Sequence, residues 1–363
     1  MASSPRAAEG FVELRPAPVE AVRGNDSWAQ RETVTLGEAP SAPGGVRSRT
    51  WRVGDVFAGR YQLTAMLGEG GMGTVYAAWD RRGRRPVALK LARPGSTGRL
   101  EGARLARLVR EGQLGQRLRH RNLVPVLDAG QCGTEPFVVF AFVPGARPLP
   151  AVARDLGWRE CLRLMRDVAD GLAHAHARGV VHRDVKPENV LVGAGGRAWL
   201  VDFGLATACD LPRITADGAR LGTPPCMAPE SIAEGRYGPP VDVWGLGVTL
   251  YWLLTGVLPF RAASPTELVR EILERDPDPP GRLGARVPRR LERLCLRALA
   301  KRPEDRYPDA AAFRDAVETC LLARRSQRSR RVSRKGLRWA SGGVLFAAGV
   351  LLAICCWLAC STA

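Results

Sequence analysis

Acidic residues are the scarce component of this 363-residue chain: 36 Asp and Glu stand against 54 Lys and Arg, a formal net charge of +18. An excess of that size raises nucleic acid as a partner. The absence of any zinc spacing and of any aromatic-basic RNA signature argues against it. Eight of the basic residues fall in one acid-free segment, Arg324 to Arg338. The remaining excess is arginine scattered along helix-like stretches, which reads as a solvated basic surface, and no nucleic-acid partner is expected.

Paired cysteines are also missing. The nine cysteines are dispersed, and none has the spacing of a metal site. An odd count in a chain this large excludes a disulfide framework and favours a reducing compartment. The opening residues "MASSPRAAEG" lack the apolar core that a secretory signal needs, and no internal repeat is visible. What is present, 45% hydrophobic and 25% charged residues, is the composition of a folded protein. The length allows two core-bearing lobes plus tails.

Residues 1–55 are rich in Ala, Pro, Gly, Ser and charge and read as a flexible arm, with "EAPSAPGG" as linker. From Tyr61 the texture becomes short apolar runs, "YQLTAMLG", "GTVYAAWD" and "PVALKLA", which read as strands. "EGARLARLVREGQLGQRLRH" then has helical spacing, and "LVPVLDAG" and "PFVVFAFV" are strand-like again. Beyond Gly145 the pattern is mostly helical. "ECLRLMRDVADGLAHAHARG" and "PVDVWGLGVTLYWLLTG" are the clearest helices, each closing on glycine. Loops and short strands lie between them. A β-rich lobe over 56–143 thus precedes a helical lobe over 144–322.

One long uncharged run remains, Trp339 to Cys360, which contains Cys355, Cys356 and Cys360. Spanning a bilayer takes roughly 20 such residues. The basic segment 323–338 precedes the run and only "STA" follows it. A buried core helix is the competing reading. Retention of Arg and Lys on the cytoplasmic side points instead to a single membrane span with the folded lobes in the cytoplasm. With so few residues beyond the run, no extracellular ligand sensor is expected.

Three polar constellations call for a chemical explanation. "LGEGGMGTV" carries Gly68, Gly70 and Gly73 between strand-like runs. Glycines there let backbone approach phosphate oxygens. A dinucleotide-binding fold would follow the third glycine with a helix, but "TVYAAWD" reads as a strand. In "VALK", Lys90 can cross to phosphates if a carboxylate such as Glu111 orients it; the alternatives are an exposed rim lysine and a surface ion pair. In "VVHRDVKPENVLV", Asp184, Lys186 and Asn189 crowd a short loop. That crowding contributes little to stability and suits a charged group held in front of it. Asp202 of "LVDFGLA" follows eighteen residues after Asp184.

In this order, with "APE" following, these motifs resemble a eukaryotic-type Ser/Thr protein kinase of the sort found in bacteria, over roughly Tyr61 to Leu321. The resemblance implies an α+β, two-lobe protein kinase fold with a β-rich N-lobe and a helical C-lobe, to which the uncharged run adds one expected C-terminal transmembrane helix. It implies that Asp184 orients the substrate hydroxyl and accepts its proton, and that Lys186 neutralises γ-phosphate charge. Asn189 and Asp202 would hold Mg²⁺ or Mn²⁺, while Lys90 binds the α/β-phosphates and pairs with Glu111.

For ATP, the same mapping implies a glycine loop of Leu67, Gly68, Glu69, Gly70, Gly71, Met72, Gly73 and Thr74. Val75, Ala88 and Leu191 become the apolar slabs and Phe140 the gatekeeper, with Ala141, Phe142 and Val143 as hinge. Glu230 should pair with Arg306, and Asp242 should anchor the catalytic loop. Arg183 and Thr223 complete the supporting set, and Thr215 is the expected activation-loop phosphosite. Thr33 and Thr35 are secondary candidates.

Cys226 stands where the family commonly has Tyr, which implies an altered or oxidation-sensitive docking shelf. The expected partners are protein substrates, a second copy of the chain in trans, and inner-membrane lipid. A pseudokinase scaffold and a small-molecule or lipid phosphotransferase are the rival readings. The lysine, the base and the metal aspartate are all retained, which disfavours the first. Lys186 and "GTPPCMAPE" disfavour the second.

Overall fold

The computed structural model describes residues 51–70, 73–91, 116–133, 135–202 and 225–322. Their first part is an antiparallel sheet of β1 (Val56–Phe57), β2 (Tyr61–Gly70), β3 (Gly73–Asp80), β4 (Arg85–Leu91), β5 (Val126–Cys132) and β6 (Glu135–Ala141). The spatial order is β1-β2-β3-β4-β6-β5. Alternation along each strand sorts side chains to two faces. Phe57, Leu63, Tyr76, Val87, Leu89, Phe137 and Val139 form one core. Val124, Val138 and Phe140 form another, joined by Ala88, Ala141, Val143 and Leu191. The side of the sheet that carries Ala88 is the one that matters for the site.

Arg60 fastens the sheet at one end. Its guanidinium reaches Asp80 and Asp128, each at 2.8 Å, and the Tyr61 hydroxyl donates to Asp128 at 2.7 Å. Burial and the neighbouring Asp128 push the Tyr61 phenol well above its ordinary range.

The chain does not pass from one lobe to the other only once. The strand expected from Leu123 begins at Val126. The residues before it pair elsewhere: Leu200 N–H donates to Asn122 O at 2.9 Å, and Val124 N–H to Leu200 O at 3.0 Å. Pro125, which has no N–H to offer a ladder, marks the change of partner. Leu118 and Leu123 accordingly belong to the large core of the helical lobe.

That lobe contains α1 (Trp158–His176), α2 (Pro229–Ala233), α3 (Pro239–Thr255), α4 (Pro265–Glu274) and α5 (Arg289–Ala298). A further helix, α6, covers residues 310–322. A small sheet of β7 (Arg147–Pro148), β8 (Val190–Val192) and β9 (Ala198–Leu200) lies beside α1. Helix α3 is apolar nearly all round and is the central element, with Val241 through Tyr251 buried. It ends where Gly256 takes a left-handed conformation (φ 76°) and its N–H donates to Trp252 O at 2.8 Å. The Trp244 ring stacks on Phe260 at 5.7 Å. Two α3 glycines permit close approach: a Cβ on Gly245 would lie 2.6 Å from Val185 O, and one on Gly247 2.9 Å from Ala298 Cβ.

Candidate active site

The loop 180–189 is held from below by one carboxylate. Asp242, near the start of α3, is fully buried. Its Oδ2 accepts from the His182 N–H and its Oδ1 from the Arg183 N–H, both at 2.7 Å. His176 at the end of α1 adds a third contact, Nε2 to Asp242 Oδ2 at 2.8 Å, while its Nδ1 accepts from Ala310 N–H. Three helices thus converge beneath the loop. Arg183 (φ 70°) and Asp202 (φ 63°) both sit in the left-handed region, where non-glycine residues are strained.

His182 links the loop to the segment carrying Asp202. Asp184 N–H donates to its Nδ1 at 3.2 Å, so Nε2 carries the proton and donates to Val201 O at 2.8 Å. A short 3₁₀ turn over Pro187–Asn189 then brings Asn189 back towards Asp184. Asp184 Oδ2 accepts from Lys186 Nζ at 2.6 Å and from Asn189 Nδ2 at 2.9 Å. Asn189 Nδ2 also donates to Asp184 O at 2.7 Å, which turns the amide oxygen away. Asp184, Lys186 and Asn189 therefore form one hydrogen-bonded cluster.

The opposite wall comes from the sheet. Lys90 crosses from β4 to Asp202, with Nζ 2.6 Å from Oδ2. Glu111, its other expected partner, lies outside the described residues, as do Gly71, Met72, Thr215 and Thr223. The β2–β3 hairpin closes with Gly70 opposite Gly73, whose φ of 140° favours glycine. Glu69 pairs with Thr74 and Gly68 with Val75, while Leu67 lies in an irregularity of the ladder and is exposed. Val75 is the register partner of Lys90, and Ala88 of Phe140. Ala88, Phe140, Ala141, Val143 and Leu191 pack in one cluster, which gives the cleft an apolar end opposite its polar one.

Val201 N–H donates to Asn189 O at 3.0 Å, which sets Asn189 beside the backbone that carries Asp202. An amide oxygen and a carboxylate are hard oxygen donors, and this pair fits Mg²⁺ or Mn²⁺.

Supporting residues lie deeper. Glu230 and Arg306 form a bidentate buried pair at 2.8 and 2.7 Å, and Arg306 also donates to the carbonyls of Ala300, Pro240 and Lys301. Removing one partner of such a pair typically costs about 3–5 kcal/mol. The Arg183 guanidinium lies 5.4 Å from the Tyr237 ring, and its enclosed Nε has no hydrogen-bond partner among the described residues.

Cys226 is part-buried. Burial, with Glu188 and Asp184 adding to it, pushes its thiol up to about 12. That shift lowers the thiolate fraction at neutral pH. His176, His182 and Gly245 were not singled out from the sequence. His182 sits inside the quoted motif; His176 and Gly245 carry no local signal.

A cleft with glycine-lined sheet above and an acid–lysine–amide loop below is the architecture of a phosphate-handling two-lobe enzyme. The chain belongs to the protein kinase domain family, whose model matches residues 61–318. It is 36% identical over 289 residues to the serine/threonine-protein kinase PknD of Mycobacterium tuberculosis, covering 78% of this chain and 43% of PknD. To PknL of the same organism it is 38% identical over 256 residues, covering 70% of this chain and 64% of PknL. PrkC of Bacillus subtilis is 32% identical over 280 residues, with 77% and 43% covered. The chain thus spans between two fifths and two thirds of the length of these relatives. Among solved structures, a double mutant of the M. tuberculosis PknI kinase domain aligns with a TM-score of 0.59 and 26% identity, over 75% of this chain and all of that one.

Proposed function

We propose that this protein is a serine/threonine protein kinase that transfers the γ-phosphoryl group of ATP to protein Ser and Thr hydroxyls. The observation that carries this reading is the Asp184–Lys186–Asn189 cluster, oriented by Asp242, with Asp202 beside it meeting Lys90 from the sheet. Asp184 orients the acceptor hydroxyl and takes its proton. Lys186 remains beside the incoming γ-phosphate and offsets its charge. Lys90 moves from Asp202 to the α/β-phosphates, which leaves the Asp202 carboxylate and the Asn189 oxygen to hold the metal. Mg²⁺ or Mn²⁺ held there would supply positive charge to offset that of the phosphates. Phosphoryl transfer needs positioning and charge neutralisation above all, and these residues supply both.

Incubating the purified chain with labelled ATP and a generic protein substrate tests the reading. Label in protein supports it. Nucleotide binding without transfer would indicate a scaffold, and label only in small molecules or lipid a different phosphotransferase.

Regulation follows from Arg183. A phosphothreonine carries about −1.5 to −2 charge and pairs well with guanidinium. The place of Arg183 directly before Asp184 supports autophosphorylation in trans at Thr215 as the activating step. The apolar run 339–360, preceded by basic 323–338, is proposed as an inner-membrane anchor that keeps the kinase lobes cytoplasmic.

A further inference from the structure

The matched family region begins at residue 61, yet the ten residues before it are built into the sheet. Gly54 N–H donates to Leu63 O at 2.8 Å, Leu63 N–H to Asp55 O at 2.9 Å, and Val56 pairs with Gln62. At the head of this segment Trp51 makes three separate attachments. Its ring meets Phe57 edge-on at 5.0 Å, and Phe57 in turn meets Phe137 at 5.2 Å. Its carbonyl accepts the Tyr76 hydroxyl at 3.0 Å. Its indole N–H donates to the Glu135 carboxylate.

Those anchors lie on strands that flank β4. Tyr76 belongs to β3 and pairs with Leu89, while Glu135 and Phe137 belong to β6, where Phe137 pairs with Leu91. Lys90 sits between Leu89 and Leu91 and projects to the other face. A residue fastened to both neighbours of β4, to β6 through its indole and to β3 through its backbone carbonyl, fixes the height of that strand over the cleft, and with it the reach of the Lys90 ammonium. We propose that Trp51 is a positioning residue for Lys90, a strap across the back of the sheet that sets how well the nucleotide phosphates are met. The proposal rests on the kinase reading only for the identity of the ligand, ATP.

The test uses the full chain with Trp51→Ala, Trp51→Phe, Glu135→Ala and Tyr76→Phe. Binding of MgATP is measured directly by calorimetry, so the result does not depend on turnover. Trp51→Ala is expected to weaken MgATP about three- to tenfold, the scale of one net hydrogen bond, since the backbone carbonyl that meets Tyr76 is kept. Amide exchange in residues 85–91 should accelerate. Where transfer is measurable, kcat/KM for ATP falls while KM for the protein substrate holds. Trp51→Phe keeps the ring on Phe57 and should recover much of the affinity.

Wild-type affinity with unchanged exchange in β4 overturns the proposal. So does a lowered melting temperature in a variant whose folded fraction binds MgATP normally, since that describes a merely structural strap. If Trp51→Ala does not fold, the two single-contact variants decide, and normal affinity in both overturns it equally. Absence of transfer in the wild type would remove the kinase reading and leave the MgATP comparison intact.

Discussion

Asp184 holds two nitrogen donors on a single carboxylate oxygen, so changing it to Asn alters charge and basicity with almost no change of shape. Asp184→Asn is expected to lower transfer by about 10²–10⁴-fold, the range of a positioned general base, and Lys90→Met to abolish measurable transfer by removing a phosphate ligand, both with circular dichroism unchanged. Near wild-type rates in labelled-ATP assays would contradict the roles given to them. Cys226 makes a second residue-level prediction. With its thiol pushed up to about 12 by burial, the thiolate is scarce at neutral pH and rises with pH. Alkylation followed by intact mass should therefore be slow at pH 7.5 and accelerate towards pH 10. Rapid neutral labelling at Cys226 would refute this. Residues such as Asp184 and Asn189 were legible because their chemistry is concentrated in one short loop. His176 was not: in "AHAHARG" it reads as an ordinary polar helix position, and its partner Asp242 is 66 residues away.

Helix α3 acts on the site through the absence of a side chain. The Gly245 backbone lies against Val185, the neighbour of Asp184, and an added Cβ would fall 2.6 Å from its carbonyl oxygen and 2.7 Å from its Cβ. Neither can yield without moving the loop. Gly245→Ala is predicted to cut kcat by at least about tenfold, because small misplacements of a catalytic group are costly, while the helix itself gains propensity. Rate and melting curve measured together check this, and an unimpaired rate would mean the loop moves aside freely. β2–β4 and α1 were legible from their periods, and α3 from a long apolar run closed by Gly256. The two-residue strands β1 and β7 were not, because a pair of residues has no period. The displaced start of β5 follows from Pro125, whose effect depends on which strand lies opposite.

For the molecule as a whole, the ordered series of motifs made the two-lobe fold legible, whereas regulation and attachment are matters of sequence segments. Mass spectrometry of the active enzyme should find phosphate on Thr215, with Thr215→Ala reducing activity; an unmodified Thr215 in fully active protein would count against the switch. Fractionation of cells expressing the full chain, or a chain stopped at Ala323, should place the first with membranes and release the second. External protease should spare the lobes of the anchored form. The path of residues 118–124 has one more consequence, for modularity. Leu118 and Leu123 fill the large lobe although they precede β5 and β6 of the small one, and Leu123 Cδ2 lies only 2.6 Å from where a Cβ on Gly171 would stand. A fragment beginning at 144 would carry an empty recess against α1, and one ending at 143 would expose two leucines. The lobes are interlaced parts of a single folding unit, so recombination at the hinge would yield two incomplete pieces instead of two exchangeable domains.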